Sequence, residues 1–103
     1  MKGIIEAITR LCRSSDIPVF GTGESAPLES AEAGYKPSDI LPLARSVLCI
    51  GIPVPGGVFK AGERSKEAYW RAANIYYRVI DALLLQIARI IEDEGETAVP
   101  VFG

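Results

Sequence analysis

Polar side chains recur at helical spacing through the stretch Ser65–Gly95. Steps of three or four residues, and one of eight, connect the polar positions Arg71, Asn74, Arg78, Asp81, Arg89 and Glu92, which places them on one stripe of an α-helix. Nearly every other position is apolar, so the remaining surface is wider than the apolar face of an ordinary amphipathic helix. Ser65 is the predicted N-cap, and Gly95 is the residue whose left-handed backbone ends the helix.

This predicted helix is too long for the core of a small domain. At about 1.5 Å per residue it extends roughly 45 Å, whereas a compact domain of about 100 residues has a radius of gyration of about 13 Å. The helix therefore bends or reaches beyond its own core. Leu85, beside the polar stripe, adds to the apolar surface. We expect a partner to cover that surface: a second copy of the chain in a homodimer, or another part of a larger protein. A central helix wrapped by the chain's own sheet and short helix is the alternative.

Shorter elements precede the long helix. An amphipathic helix is predicted over Lys2–Arg13, because its apolar side chains share one face. Ile17–Phe20 is apolar but contains a proline, which is typical of an edge strand or of the start of a strand. Gly21–Lys36 shows no period and is predicted to be a long loop, with a helical turn around Leu28–Ala33. Pro37–Ala44 can hold only a turn or a short 3₁₀ helix.

Two further segments complete the predicted sheet. Ser46–Ile52 is a continuous apolar run and is predicted to be a central strand buried on both faces. Pro55–Gly57 is a strong turn signal in the connector before the long helix. Thr97–Phe102 is apolar enough for another strand, which a right-handed crossover would pair in parallel. The predicted fold class is α/β, with α+β as the alternative. It combines a small sheet around that buried strand, one long helix packed on the sheet, and an N-terminal helix.

Composition limits the organisation of the chain and its partners. The 103 residues suffice for one modest core, so we expect a single α/β domain over residues 1–103. Hydrophobic residues make up 49%, a high share for a free-standing domain of this size. The net charge of −2, without a basic block, gives no sign of nucleic-acid binding. Charges interrupt the long helix and the N-terminus has no signal-peptide core, so we expect no membrane span and a cytoplasmic location.

The residue types available for chemistry are few. The chain has no histidine, which removes the usual general base and the commonest metal ligand. Cys12 and Cys49 stand in unrelated contexts, and we expect both to be small buried hydrophobic residues rather than disulfide partners. The acidic run Glu92–Glu96 is expected to be a solvated helix end rather than a cation site, since it lacks the pattern of a calcium loop. We assign no catalytic residue and no metal ligand to this chain.

Two glycine motifs partly match known binding-site patterns. Gly21–Ala26 has the letters G-x-G-x-x-A, but a proline and a polar loop follow it instead of the helix that a dinucleotide site requires. Gly51–Val58 lacks the Lys and Ser/Thr of a phosphate-binding loop.

The aromatic residues of the long helix are Tyr69, Trp70, Tyr76 and Tyr77. They could stack on a flat cofactor, or pack in a core or an interface, which is the commoner role.

Three stretches resemble a known family. Tyr35–Pro42 and Ala44–Pro53 resemble the pattern P-x-x-x-L-P-x-A-x-S-V-I-x-x-G-x-P near the start of epoxyqueuosine reductases and their reductive-dehalogenase-like relatives. The segment from Tyr69 and Asn74 through Val79–Gly95 to Ala98–Val101 is similar to the helix and strand that follow in iron–sulfur members of that group. The resemblance spans roughly residues 35–101.

The resemblance implies that these residues are the N-terminal part of a larger iron–sulfur oxidoreductase. Such proteins bind cobalamin in an α/β domain and pass electrons to it from 4Fe-4S clusters, whose cysteines lie in a later ferredoxin-like part. The chain alone would be inactive. Binding of tRNA is implied only by analogy with the family. The implied cofactor contacts are Tyr69, Tyr76, Gly56 and Gly57; the residues by themselves demonstrate no cofactor.

The chain also departs from the family pattern at three places. Ile75-Tyr76-Tyr77 stands where epoxyqueuosine reductases carry Asp-Tyr-His, so that only Tyr76 matches. Gly34 replaces a frequent arginine, and no carboxylate stands at or after Phe102, where the family's proton donor would fall. The resemblance therefore implies the wider group and not the queuosine reaction. A non-catalytic structural or dimerisation module is the alternative function.

Overall fold

The computed structural model describes residues 2–102 and shows a mixed fold of helices and a small sheet, as predicted. The elements in chain order are α1 (Lys2–Ser14), β1 (Val19–Glu24), a 3₁₀ helix (Ala26–Ser30), α2 (Pro37–Ile40), β2 (Ser46–Gly51), two 3₁₀ turns (Gly56–Lys60 and Gly62–Arg64) and α3 (Ser65–Asp93). The helical period thus predicted both α1 and the 29-residue α3. None of the helices within residues 2–102 combines the length and the apolarity that a bilayer crossing needs.

The sheet differs from the prediction in size and direction. β1 and β2 pair antiparallel, with Val19 opposite Gly51 and Glu24 opposite Ser46. No other strand occurs within residues 2–102, so the predicted parallel crossover is wrong and Thr97–Phe102 is irregular. The predicted burial of β2 on both faces is also wrong, because the strand has one neighbour and its residues are half-buried or exposed.

One face of this sheet contributes to the core. Phe20 and Ile50 lie opposite each other in the register, and both pack against the buried cluster together with Leu48. The cluster consists of Ile4, Ile8, Cys12 and Ile17 near the N-terminus and Leu83 and Ile87 in the second half of α3. The other sheet face leaves Val19 and Cys49 exposed. The core therefore lies between α1, one sheet face and the last turns of α3.

The first half of α3 extends past this core. The radius of gyration is 15.8 Å and the longest extent is 48 Å, against about 13 Å for the radius of gyration of a compact 100-residue domain. The buried residues of α3, Leu83, Ile87 and Ala88, all lie in its second half. The predicted overreach of the helix is therefore confirmed.

Both main helices end in the same hydrogen-bonded motif. Gly95 has φ +86°, its N–H donates to the Glu92 carbonyl at 2.9 Å, and the Glu96 N–H donates to the Ile91 carbonyl at 3.3 Å. Asp16, with φ +57°, takes the corresponding left-handed position after α1. These are Schellman motifs, in which a left-handed residue lets the chain reverse while the last carbonyls stay bonded. At the other end of α3 the N-cap is Arg64, so the predicted capping by Ser65 is wrong.

The connection between the strands is an ordered loop. β1 continues to Glu24, into residues predicted to be loop, and the helical turn lies at Ala26–Ser30 rather than around Leu28–Ala33. Pro37–Ile40 forms a single α-helical turn instead of a 3₁₀ helix.

Candidate ligand-binding surface

The turn Gly56–Lys60 packs against the first half of α3. The turn begins after Pro55, whose carbonyl accepts a hydrogen bond from the Val58 N–H at 3.0 Å. Phe59 then places its ring against Tyr69, with 5.8 Å between the ring centroids and 41° between the ring planes. This spacing is within the range of favourable aromatic pairs, which stabilise by about 0.5–1.5 kcal/mol beyond their burial. The pair fixes the turn on the helix.

Tyr69 and Tyr76 lie on one side of α3. Residues seven apart are separated by nearly two full turns, so the two tyrosines line up with each other and with Leu83 and Ile87 further along. Leu83 and Ile87 are buried, Tyr76 is half-buried and Tyr69 is 46% exposed. The core-facing side of the helix thus continues beyond the core as a partly uncovered aromatic surface.

Gly56 and Gly57 open the turn whose Phe59 ring contacts Tyr69. Tyr76 stands two helical turns away on the same side. A Cβ atom placed on either glycine would meet no atom within 4 Å, so the space above the turn is free. We call the surface formed by these four residues and Phe59 the turn–helix surface. Sequence reasoning had missed Phe59, and no spacing rule marked it.

Further aromatic and aliphatic side chains flank the turn–helix surface. Trp70 is 68% exposed and Tyr77, seven residues later on the same flank, is 48% exposed. Ile75 and Val79 are exposed on the opposite flank. An exposed apolar area of this extent in one region is typical of an interaction site.

Polar groups near the start of α3 are exposed and pair locally. The Arg71 Nε atom lies 3.4 Å from Glu67 Oε1 in an i,i+4 ion pair. The Asn74 amide nitrogen donates to the Trp70 carbonyl at 2.7 Å. Exposed ion pairs of this kind contribute only about 0.3–0.5 kcal/mol. An open depression lined by Arg64, Glu67, Ala68 and Arg71 adjoins them. The polar groups stabilise the helix rather than form a reactive site.

The cysteines differ in environment. Cys12 is buried as predicted, and burial raises the pKa of its thiol because the charged form is poorly solvated there. Cys49 lies on the sheet face opposite the one that packs on the core and is exposed, so its predicted burial is wrong. Both thiols are free. Within residues 2–102, no three His, Cys, Asp or Glu side chains are grouped so that they could hold a metal ion.

No family model, no curated protein and no solved structure matches the chain.

Proposed function

We propose that the chain is the N-terminal unit of a cobalamin-dependent iron–sulfur oxidoreductase of the epoxyqueuosine-reductase type, and that it is inactive alone. The observation that carries this proposal is the turn–helix surface. In it, the Gly56–Lys60 turn, which closely follows the segment that resembles the family, contacts Tyr69 through Phe59, and Tyr76 lies two turns further along the same side of α3. An open aromatic wall beside a glycine turn suits a large flat ligand whose other side is covered by another part of the protein.

The two cofactors of that family fit these residues to different degrees. A 4Fe-4S cluster needs four cysteine ligands, whereas this chain has two cysteines, Cys12 in the core and Cys49 on the open sheet face. The clusters would therefore belong to a ferredoxin-like part outside this chain. For cobalamin, the turn–helix surface offers contacts but does not enclose the ligand, so it would form one wall of a composite site.

The chain's own residues would bind and orient the cofactor. The ring faces of Tyr69 and Tyr76 provide apolar contact area with little loss of side-chain freedom. Gly56 and Gly57 lack side chains, so the backbone of the turn can approach a flat ligand closely. Phe59 holds the turn against Tyr69 through the contact between their rings. When bound, cobalamin would supply the cobalt centre that accepts electrons.

The direct test is titration of the purified chain with cob(II)alamin, followed by visible absorbance and by co-elution on gel filtration. We expect saturable binding that Tyr69→Ala weakens about tenfold, equivalent to about 1.4 kcal/mol. Tyr35→Ala is the matched control, because Tyr35 is 77% exposed on the loop between β1 and β2 and should leave binding unchanged.

The same titration on a longer chain that continues past Gly103 distinguishes a site that needs a second wall from the absence of any site. Binding to the longer chain alone would mean that the site needs its second wall, and Tyr69→Ala should then weaken binding in that longer chain. Failure of both chains to bind would overturn the proposal. The reading frame is expected to continue into a cysteine-rich segment.

The second candidate is a non-catalytic structural or dimerisation module. The observation that favours it is the exposed flank of α3 with Ile75 and Val79, which adjoins the turn–helix surface but is not part of it. A stop codon directly after Gly103, together with absence of cob(II)alamin binding, would favour this candidate over the first.

A further inference from the structure

One exposed flank of α3 has the spacing of a helix-pairing seam. Its members follow each other at steps of four and three residues: Ala68, Ala72, Ile75, Val79, Ala82 and Gln86. Ile75 and Val79 are 58% and 41% exposed, Ala82 and Gln86 are exposed, and Ala68 and Ala72 are half-buried. Alternating steps of three and four residues are the pattern by which two helices pack side by side. We call these six residues the α3 seam.

The molecule exposes more surface than a compact monomer of its mass, and this excess is larger than the area that each partner buries in a typical dimer. Its accessible surface is 7618 Å² for a mass of 11.1 kDa. A compact monomer of this mass exposes about 5,700 Å², so about 1,900 Å² per chain is in excess. A standard protein interface buries about 800 Å² per partner. The excess is sufficient for a helix-mediated dimer, and the α3 seam is part of it.

The charges along α3 favour a partner helix that runs in the opposite direction. Lys66, Arg71 and Arg78 make the first half basic, with Glu67 as its one acidic residue. The second half carries Asp81, Glu92 and Asp93 against the single Arg89. This distribution has the same sign as the helix dipole at each end, so it does not offset the dipole within one helix. In an antiparallel pair, the basic first half of each α3 lies beside the acidic second half of the other copy's α3. The two helices then offset each other's charges and dipoles.

We infer that two copies of this chain associate through the α3 seam, with their α3 helices antiparallel. A two-fold axis near residue 77 places Ile75 beside Val79 of the second copy and Ala72 beside Ala82 of the second copy. The alanines allow the helix axes to approach closely, while Ile75 and Val79 fill the centre of the interface. Beyond Gln86 the seam continues into an open groove between α1 and α3, lined by Leu11, Arg89, Ile90 and Asp93. The basic start of the second copy's α3 lies towards that groove.

The first test is the mass of the full chain by light scattering over a range of protein concentrations. The dimer mass is expected for the unaltered chain, and Val79→Glu is expected to halve it. Leu85→Glu is the matched control, because Leu85 is 52% exposed on the polar stripe and the change adds the same charge to the same helix. Leu85 lies outside the α3 seam, so this interface, unlike the one expected from the sequence, does not include it. Circular dichroism verifies that each variant keeps its helix content. A monomeric unaltered chain would overturn the inference, as would a dimer that survives Val79→Glu or dissociates in Leu85→Glu.

The second test decides the direction of the helices. In a Cys49→Ser background, which removes the exposed thiol, Ala72→Cys and Ala82→Cys are made as separate variants. Light scattering under reducing conditions first verifies that each still dimerises. An antiparallel seam predicts that each variant alone gives almost no cross-linked dimer after mild oxidation, whereas an equal mixture gives abundant dimer. Cross-linking of Ala72→Cys with itself indicates parallel helices and would overturn the inference. Neither test involves cobalamin, so failure of the proposed function leaves this inference standing.

Discussion

The Ser25 hydroxyl donates a hydrogen bond to the Ala44 carbonyl at 3.0 Å, across 19 positions of sequence. The Ser25 N–H donates to the neighbouring Arg45 carbonyl at 2.9 Å, and Ser25 is itself buried. The two bonds join the end of β1 to the residues just before β2. They close the base of the loop between the strands, so that this loop is anchored where the sheet ends.

Loss of the Ser25 hydroxyl is expected to destabilise the fold. Ser25→Ala removes the donor to the Ala44 carbonyl, and a lost buried hydrogen bond costs about 1–2 kcal/mol of unfolding free energy. Urea denaturation followed by circular dichroism measures the change. Ser30→Ala is the control, because the Ser30 hydroxyl bonds the Pro27 carbonyl at an exposed position and its loss should cost less than about 0.5 kcal/mol. Equal effects of both changes would contradict the closing role of Ser25.

Carboxylates order the interior of the same loop, which sequence reasoning did not foresee. Asp39 Oδ2 accepts hydrogen bonds from the Gly34 N–H at 2.7 Å and the Lys36 N–H at 3.2 Å. Glu29 accepts from both the N–H and the hydroxyl of Ser38. The one available signal was an acidic residue in the first turn after Pro37, where side chains commonly accept from free N–H groups. The contact between Glu29 and Ser38, nine residues apart, has no such signal in the sequence, because the geometry of the loop alone brings the two residues together.

Glycine substitutions are expected to change stability with opposite signs at two positions. Gly95→Ala should destabilise the chain by about 1 kcal/mol, because Gly95 has φ +86° and a side chain is strained in that conformation. Gly3→Ala should stabilise it by up to about 1 kcal/mol, because Gly3 is exposed within α1 and alanine is the better helix former. Thermal unfolding monitored by circular dichroism measures both. A stabilising Gly95→Ala would show that the Schellman motif does not end α3.

Periodicity predicted the helices better than the sheet, for a physical reason. The apolar pattern of α1 and α3 is fixed by local spacing, whereas a strand also needs a neighbour to pair with. Gly21–Glu24 contains two glycines and a glutamate, which are poor strand formers, but it pairs with β2, so the register overrides local preference. Thr97–Phe102 has a strand-like composition but pairs with no strand. The contact between Phe59 and Tyr69 likewise depends on how the turn packs, which spacing does not encode.

The two thiols are expected to differ in reactivity, and the buried one is expected to make folding stability depend on pH. Cys49 is exposed and should react quickly with a thiol reagent in the folded protein, whereas Cys12 should react only when the chain opens. Burial raises the pKa of Cys12, so its thiol stays protonated in the folded chain at pH values where it ionises in the unfolded chain. Folding stability should therefore fall as the pH rises through the ordinary thiol pKa towards the raised one. Cys12→Ala should reduce this pH dependence, as measured by urea denaturation at a series of pH values.

Hydrogen exchange is expected to divide α3 into two halves. In a monomer, the amides of the second half should exchange slowly, because Leu83, Ile87 and Ala88 anchor that half in the core. The first half contains none of the buried residues of α3. It should exchange faster because fewer buried contacts oppose its opening. Association through the α3 seam should slow exchange around Ile75 and Val79 as protein concentration rises. Val79→Glu should abolish that concentration dependence while protection around Ile87 stays unchanged. Uniform protection along α3 in this monomeric variant would show that the first half is stable without a partner.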